Sequence, residues 1–182
     1  IAGTARLAVG SLALSFPLGV ASAVYLHEYA GRSRLAGYIR LGVNNLAGVP
    51  SIVFGLFGMS FFVITCGFCI SLLSGILTLA VLTLPVIIGT AEEALRHVPA
   101  TYREASLALG ATQSHTIARA VLPGALPVIL TGALPGLALP ARETAAIMFT
   151  NVFLFSKKEV ASLFNPGLAL SQPLYFPDPS RA

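Results

Sequence analysis

Few residues in this chain are equipped to do chemistry, so their types and spacing can be weighed one group at a time. Cys66-Gly67-Phe68-Cys69 has the C-x-x-C spacing of a redox pair, but no thioredoxin-like strand and helix pattern surrounds it. No second cysteine pair completes a zinc site. Two small residues at a turn is the simpler account, and a disulfide would form there only in an oxidising compartment. His27-Glu28 starts like the metalloprotease helix H-E-x-x-H, yet Gly31 stands where the second histidine must be. His97 and His115 have no ligand cluster beside them, and neither a nucleophile elbow G-x-S-x-G nor any Gly-Lys dipeptide of a nucleotide-binding loop occurs. Arg142-Glu143 are adjacent opposite charges beside an apolar run, where a guanidinium fork suits an oxyanion. The remaining group is a charged island over 92–119, EEALRHVPATYREASLALGATQSHTIAR, between uncharged runs at 41–91 and 120–141.

Those elements sit in a chain that is too apolar for water. Mean hydropathy is +0.83 and 10% of residues are charged, against about 25% in soluble domains. The net charge is +4, but Lys and Arg form no dense tract interleaved with aromatics, which argues against nucleic-acid binding. The chain starts at Ile1, and the apolar run Leu7–Leu26 is too long for a signal-peptide core. It reads as a membrane span, in a fragment that lacks part of an N-terminal region.

A hydrocarbon core about 30 Å thick needs about 20 apolar residues. Four spans are expected, at 7–27, 46–65, 70–90 and 121–141, with a turn between the second and third around Thr65, Gly67 and Ser71. Thr144–Phe155 is too short to cross alone and reads as a half-span or interfacial piece. The expected fold class is an all-α polytopic helical bundle of four to five spans. Arg32, Arg34 and Arg40 in one loop, and Arg96, Arg103 and Arg119 in the island, place 28–44 and 92–119 in the cytoplasm. The turn with Cys66 and Cys69 then lies outside.

Within the island, Pro99 should stop one helix, Thr101 cap the next and Gly110 end it in a left-handed turn. A second helix can begin at Thr112 or Ser114. Tyr102, Ala105, Ser106 and Leu109 fall at i, i+3, i+4 and i+7, a mildly apolar face with small residues at its centre. Arg103 and Glu104 flank it, where they could meet a partner's rim charges. A merely solvated loop would not need face, cap and glycine to agree.

Glu104, Ala105, Gly110, Leu122 and Pro123 match the EAA loop of ABC-importer permeases; Ser106 replaces the second Ala and Ala120 the usual Ile. NNLAGVPSIVFGLFG at 44–58 resembles the signature of the phosphate-specific importer's membrane subunits, as do 16–34, 84–112 and 122–132. Together they are similar to the A-type subunits (PstA) of that family over most of residues 4–150. The resemblance implies a permease domain of the MetI-like type at 1–150 and a divergent or truncated tail at 151–182. It also implies a heterodimer with a sister permease, a cytoplasmic ATPase pair that carries ATP and Mg, and an extracytoplasmic phosphate-binding protein. This chain would then be no enzyme and bind no cofactor or metal itself, in a bacterial or archaeal inner membrane.

Polar groups at membrane depth are the natural candidates for a substrate path. Asn44 and Asn45 at the edge of the second span either line that path or cap a helix. Gly48, Pro50, Gly55 and Gly58 fit close packing and a kink better than direct lining of the path. The family pattern R-A-x-G-E-T-A is met by Glu143, Thr144 and Ala145, but its Arg position is Leu139 here, with Arg142 in place of the Gly. Pro123, Pro127, Pro135 and Pro140 in the fourth span favour a transporter over a plain anchor, because freed carbonyls need polar neighbours or a watery cavity. An intramembrane enzyme would need paired catalytic groups, which only Arg142-Glu143 approach. Alternatives within transport are another oxyanion, such as molybdate or sulfate, or a fragment that does not transport.

Overall fold

The computed structural model describes residues 2–31, 33–68 and 70–142. It is helical, with no strand among the described residues. Helix α1 (Ala2–Val24) continues as a π-helical turn, Tyr25–Tyr29. Next come α2 (Arg34–Ala47) and α3 (Ser51–Gly58), the latter extended by a π-helical stretch, Met59–Thr65. Helix α4 (Leu72–His97) is followed by α5 (Ala100–Ala108), then α6 (Gln113–Thr116) with a π-helical turn Ile117–Val121, and α7 (Leu122–Arg142).

Gly3–Tyr29, Leu72–His97 and Gln113–Gly136 are long and apolar enough to cross a membrane, and the pair Arg34–Ala47 and Ser51–Thr65 makes a fourth if its two halves are one span. That pair is bent by 101°. The kink expected from Gly48 and Pro50 is a full break, and one expectation is corrected: α2 is a separate helix, not a loop, and the chain turns at Gly48-Val49-Pro50. The cause is local. Pro50 lacks an N–H and disfavours helix at Val49, while Pro50 itself is extended in ψ at 137° and starts α3 with no side-chain cap. Asn44 and Asn45 lie in the last two turns of α2 rather than at the start of α3, so they do not cap that span.

The third span also runs longer than expected, to His97, so Glu92, Glu93, Arg96 and His97 belong to a helix. Its start is well specified: the Ser71 hydroxyl accepts from the Ser74 N–H, and Ser74 Oγ accepts from the Ser71 N–H. The positive φ of Gly67, 70°, turns the chain ahead of it. Buried hydroxyls on α4 bond back to their own helix, Thr78 to the Ser74 carbonyl at 2.8 Å and Thr83 to Leu79 at 3.0 Å, so none enters the bundle unpaired.

Helices α1, α4 and α7 form the bundle. Two glycines set how closely α1 approaches α4. A methyl group on Gly10 would lie 2.7 Å from Ile76 Cδ1, and one on Gly19 2.6 Å from Ile87 Cγ2. Small residues that let backbones come together are the usual adhesive between helices in lipid, where apolar burial alone gives little preference. Where α4 ends, Ala23, Ala91, Ala94, Leu95, Val121, Ala125 and Ile129 pack as one cluster, and a separate cluster of Leu26, Ala36 and Ile88 seats α2 against α4 and the Tyr25–Tyr29 turn.

Candidate docking site

Helix α5 hangs from the bundle by two short connections. Val98 ends α4 in an extended conformation, and Pro99, not Thr101, occupies the N-cap position of α5. Thr101 lies inside the helix, a correction that follows from the fixed φ of proline. At the other end Gly110 has φ 83°, a left-handed value that a side chain resists, and the Ala111 N–H bonds back to the Ser106 carbonyl at 3.3 Å. Thr112 caps α6 by accepting from the His115 N–H at 3.4 Å. Ser106 Oγ and Thr116 Oγ1 are 2.9 Å apart, which closes the helix-turn-helix.

The result is a protruding helix with an uncovered face. Tyr102 is 60% exposed and Leu109 90%, while Ala105 and Glu104 are also exposed. Ser106 is half-buried because it faces α6. Arg103 turns inward rather than toward the rim. Its Nη2 donates to Glu28 Oε1 at 2.7 Å and to the Leu95 carbonyl at 3.1 Å, and its Nη1 donates to the Val98 carbonyl at 2.9 Å. A cleft of about 310 Å³ adjoins the helix, lined by Pro99, Tyr102, Ala120, Gly124 and Val128 among others. Uncovered apolar side chains over small residues, next to a concave surface, can receive a complementary protein ridge.

A second cleft of about 340 Å³ lies where α2 meets α4, and Asn44 lines it with Arg40, Glu92, Arg96 and His97. Asn45 is exposed on α2 and does not line it. Arg40 spans the junction: Nε donates to Glu92 Oε1 at 2.7 Å and Nη2 to the Leu26 carbonyl at 2.7 Å. Arg142 is the last residue of α7, and Glu143 and the tail 151–182 lie outside the described residues, as does Cys69. Cys66 is exposed. Among the described residues no three His, Cys, Asp or Glu side chains gather where they could hold a metal ion.

Sequence reasoning missed both ion pairs, Glu28 with Arg103 and Arg40 with Glu92. The available signal was position. Glu28 and Glu92 sit at the ends of long apolar helices, where a carboxylate that is partly desolvated needs a cation. The partners are 75 and 52 residues away, which no local pattern reveals.

Comparison with known proteins fits this architecture. A family model described as the binding-protein-dependent transport system inner membrane component matches residues 15–162. The phosphate transport system permease protein PstA 1 of Mycobacterium tuberculosis (strain H37Rv) is 44% identical over 146 residues, 80% of this chain and 47% of that protein. A probable ABC transporter permease protein, YqgI, of Bacillus subtilis is 39% identical over 140 residues, 77% of this chain and 48% of the relative. The phosphate transport system permease protein PstA of Xylella fastidiosa (strain 9a5c) is 37% identical over 148 residues, covering 81% and 52%. The chain spans about half the length of the curated relatives it matches. On this agreement of helical architecture and family match, the chain belongs to the binding-protein-dependent transport system inner membrane components.

Proposed function

We propose that the protein is a permease subunit of an ATP-driven phosphate importer, and that α5 is the element that docks its ATPase. The observation that carries this reading is the exposed apolar group Tyr102, Ala105 and Leu109 on a protruding helix that meets the rest of the chain through Arg103 and Ser106. Glu104 and Arg103 were both candidates for the rim; Glu104 remains exposed and free to meet a partner's cation, whereas Arg103 is engaged with Glu28. Phosphate is favoured over molybdate or sulfate by the identity to relatives named as phosphate permeases.

In this reading the ATPase holds ATP and Mg, and its closure moves the island helices. The spans then reorient around a central path shared with a sister permease, and an extracytoplasmic binding protein delivers the anion. The island 92–119 and the 28–44 segment face the cytoplasm. Asn44, with Arg142 and Glu143, supplies polar groups to the path, and Asn45 is its less favoured neighbour.

The test is anion uptake by the full-length protein in a strain that lacks its own permease. Phosphate uptake should be restored, and Glu104→Lys should abolish it. Restored sulfate or molybdate uptake without phosphate would reverse the substrate assignment. Undiminished phosphate uptake by Glu104→Lys would remove the docking role.

A further inference from the structure

Four segments converge at one point beneath α5. Glu28, in the π-helical turn that ends α1, is reached by Arg103 of α5 through three contacts, from Nη2 at 2.7 Å and from Nε at 3.2 and 3.4 Å. The same guanidinium caps the C-terminal carbonyls of α4 at Leu95 and Val98, where the helix dipole favours a cation. The backbone carbonyl of Glu28 accepts from Gln113 Nε2 of α6 at 3.0 Å. The two charged side chains are largely withdrawn from solvent, at 22% and 9% exposure. Charge-assisted, multiply connected contacts of this kind hold geometry more firmly than a surface ion pair.

We infer that Glu28 and Arg103 are positioning residues that bolt the coupling helix to the inner end of α1, so that displacement of α5 is delivered to the α1–α4–α7 bundle. The inference rests on the proposal above that α5 docks an ATPase. Without the bolt, α5 is joined to the bundle by Val98-Pro99 on one side, and on the other by the Gly110 turn, the Ser106–Thr116 contact and packing on the Ile117–Val121 turn. Those attachments tie α5 to the ends of α4 and α7. Only the Arg103 cluster ties it directly to α1, and among the described residues it is the one ion pair that α5 makes. A lever without that tie would pivot at its two ends, and nucleotide-driven motion would be spent in the loops. The charge is partly desolvated, so neither partner is easily replaced by a neutral group.

The assembled full-length transporter in liposomes provides the test, with phosphate moved per ATP hydrolysed as the readout. Glu28→Gln should lower that ratio at least fivefold while the ATPase still co-purifies. Arg103→Lys, which keeps charge but loses the fork, should lower it less. An unchanged ratio in Glu28→Gln, or loss of ATPase co-purification, would overturn the inference. A second arm needs no substrate: spin labels at Tyr29 and Leu107, both exposed, should keep one narrow distance with and without ATP, and Glu28→Gln should broaden it. A nucleotide-dependent distance in the unmodified pair of elements would equally overturn it. If phosphate is not the substrate, uptake is zero in the unsubstituted protein too, and the label distances still decide.

Discussion

The contact between α1 and α4 and the outer face of α5 are both built on small residues, yet one is filled and the other is open. Gly10 and Gly19 meet Ile76 and Ile87 of the same chain so closely that a single added methyl would clash. Ala105 sits between Tyr102 and Leu109 with nothing of this chain over it. The same device, removal of side-chain bulk so that another surface can approach, thus serves internal packing in one place and an external partner in the other. What distinguishes them is where the complementary surface comes from.

The largest effect should come from filling the closed contact. Gly19→Val is expected to destabilise the membrane-inserted protein by about 3 kcal/mol through overpacking, seen as a lower melting temperature in detergent. Ile87→Ala in the same chain should recover part of the loss. If Gly19→Val melts like the parent, the two helices are not held at the separation described. Filling the open contact should act elsewhere: Ala105→Arg, at an exposed helical position, should leave stability within about 0.5 kcal/mol. Retention of the ATPase should fall about a hundredfold, roughly 2.7 kcal/mol of binding. Equal losses of stability and binding would erase the distinction between the two regions.

Smaller effects test how the open face is presented. Gly110→Val forces a β-branched side chain into φ 83° and should cost about 1 to 2 kcal/mol, with Gly110→Asn milder. The measurement is local hydrogen exchange across α5 and α6, which should quicken there before it does in α4. Thr112→Ala removes one cap and should cost about 0.5 to 1 kcal/mol, detectable in the same exchange pattern and without effect on uptake. A Thr112→Ala protein that loses uptake would mean that the cap holds something more than α6.

How much of this could be read from sequence depended on the range of the interaction. Spans α1, α4 and α7 were legible because hydropathy over about 20 residues is a local sum. Gly110 and Thr112 were legible because turn and cap chemistry is local as well. At Gly48-Val49-Pro50 a kink was legible but not its 101° size, since an unbroken uncharged run from 41 to 91 hides a bend that leaves hydropathy unaltered. Arg103 was assigned to the rim from helix phase alone. Its true direction depended on Glu28, which the sequence offered only as part of an incomplete H-E-x-x-H. Asn44 and Asn45 had two open readings, and the bend decides against capping, because the helix they were to cap begins at Ser51.

The central claim is that the face of α5 carrying Tyr102 is covered by an ATPase in the working transporter. Photo-crosslinking residues placed at Tyr102 and, separately, at Leu107 test it most directly, because the two lie well apart around α5 at about 100° per residue and are similarly exposed, 60% and 50%. In the assembled full-length complex, position 102 should capture the ATPase and position 107 should capture little or none. Equal capture at both positions, or capture at 107 alone, would contradict the account.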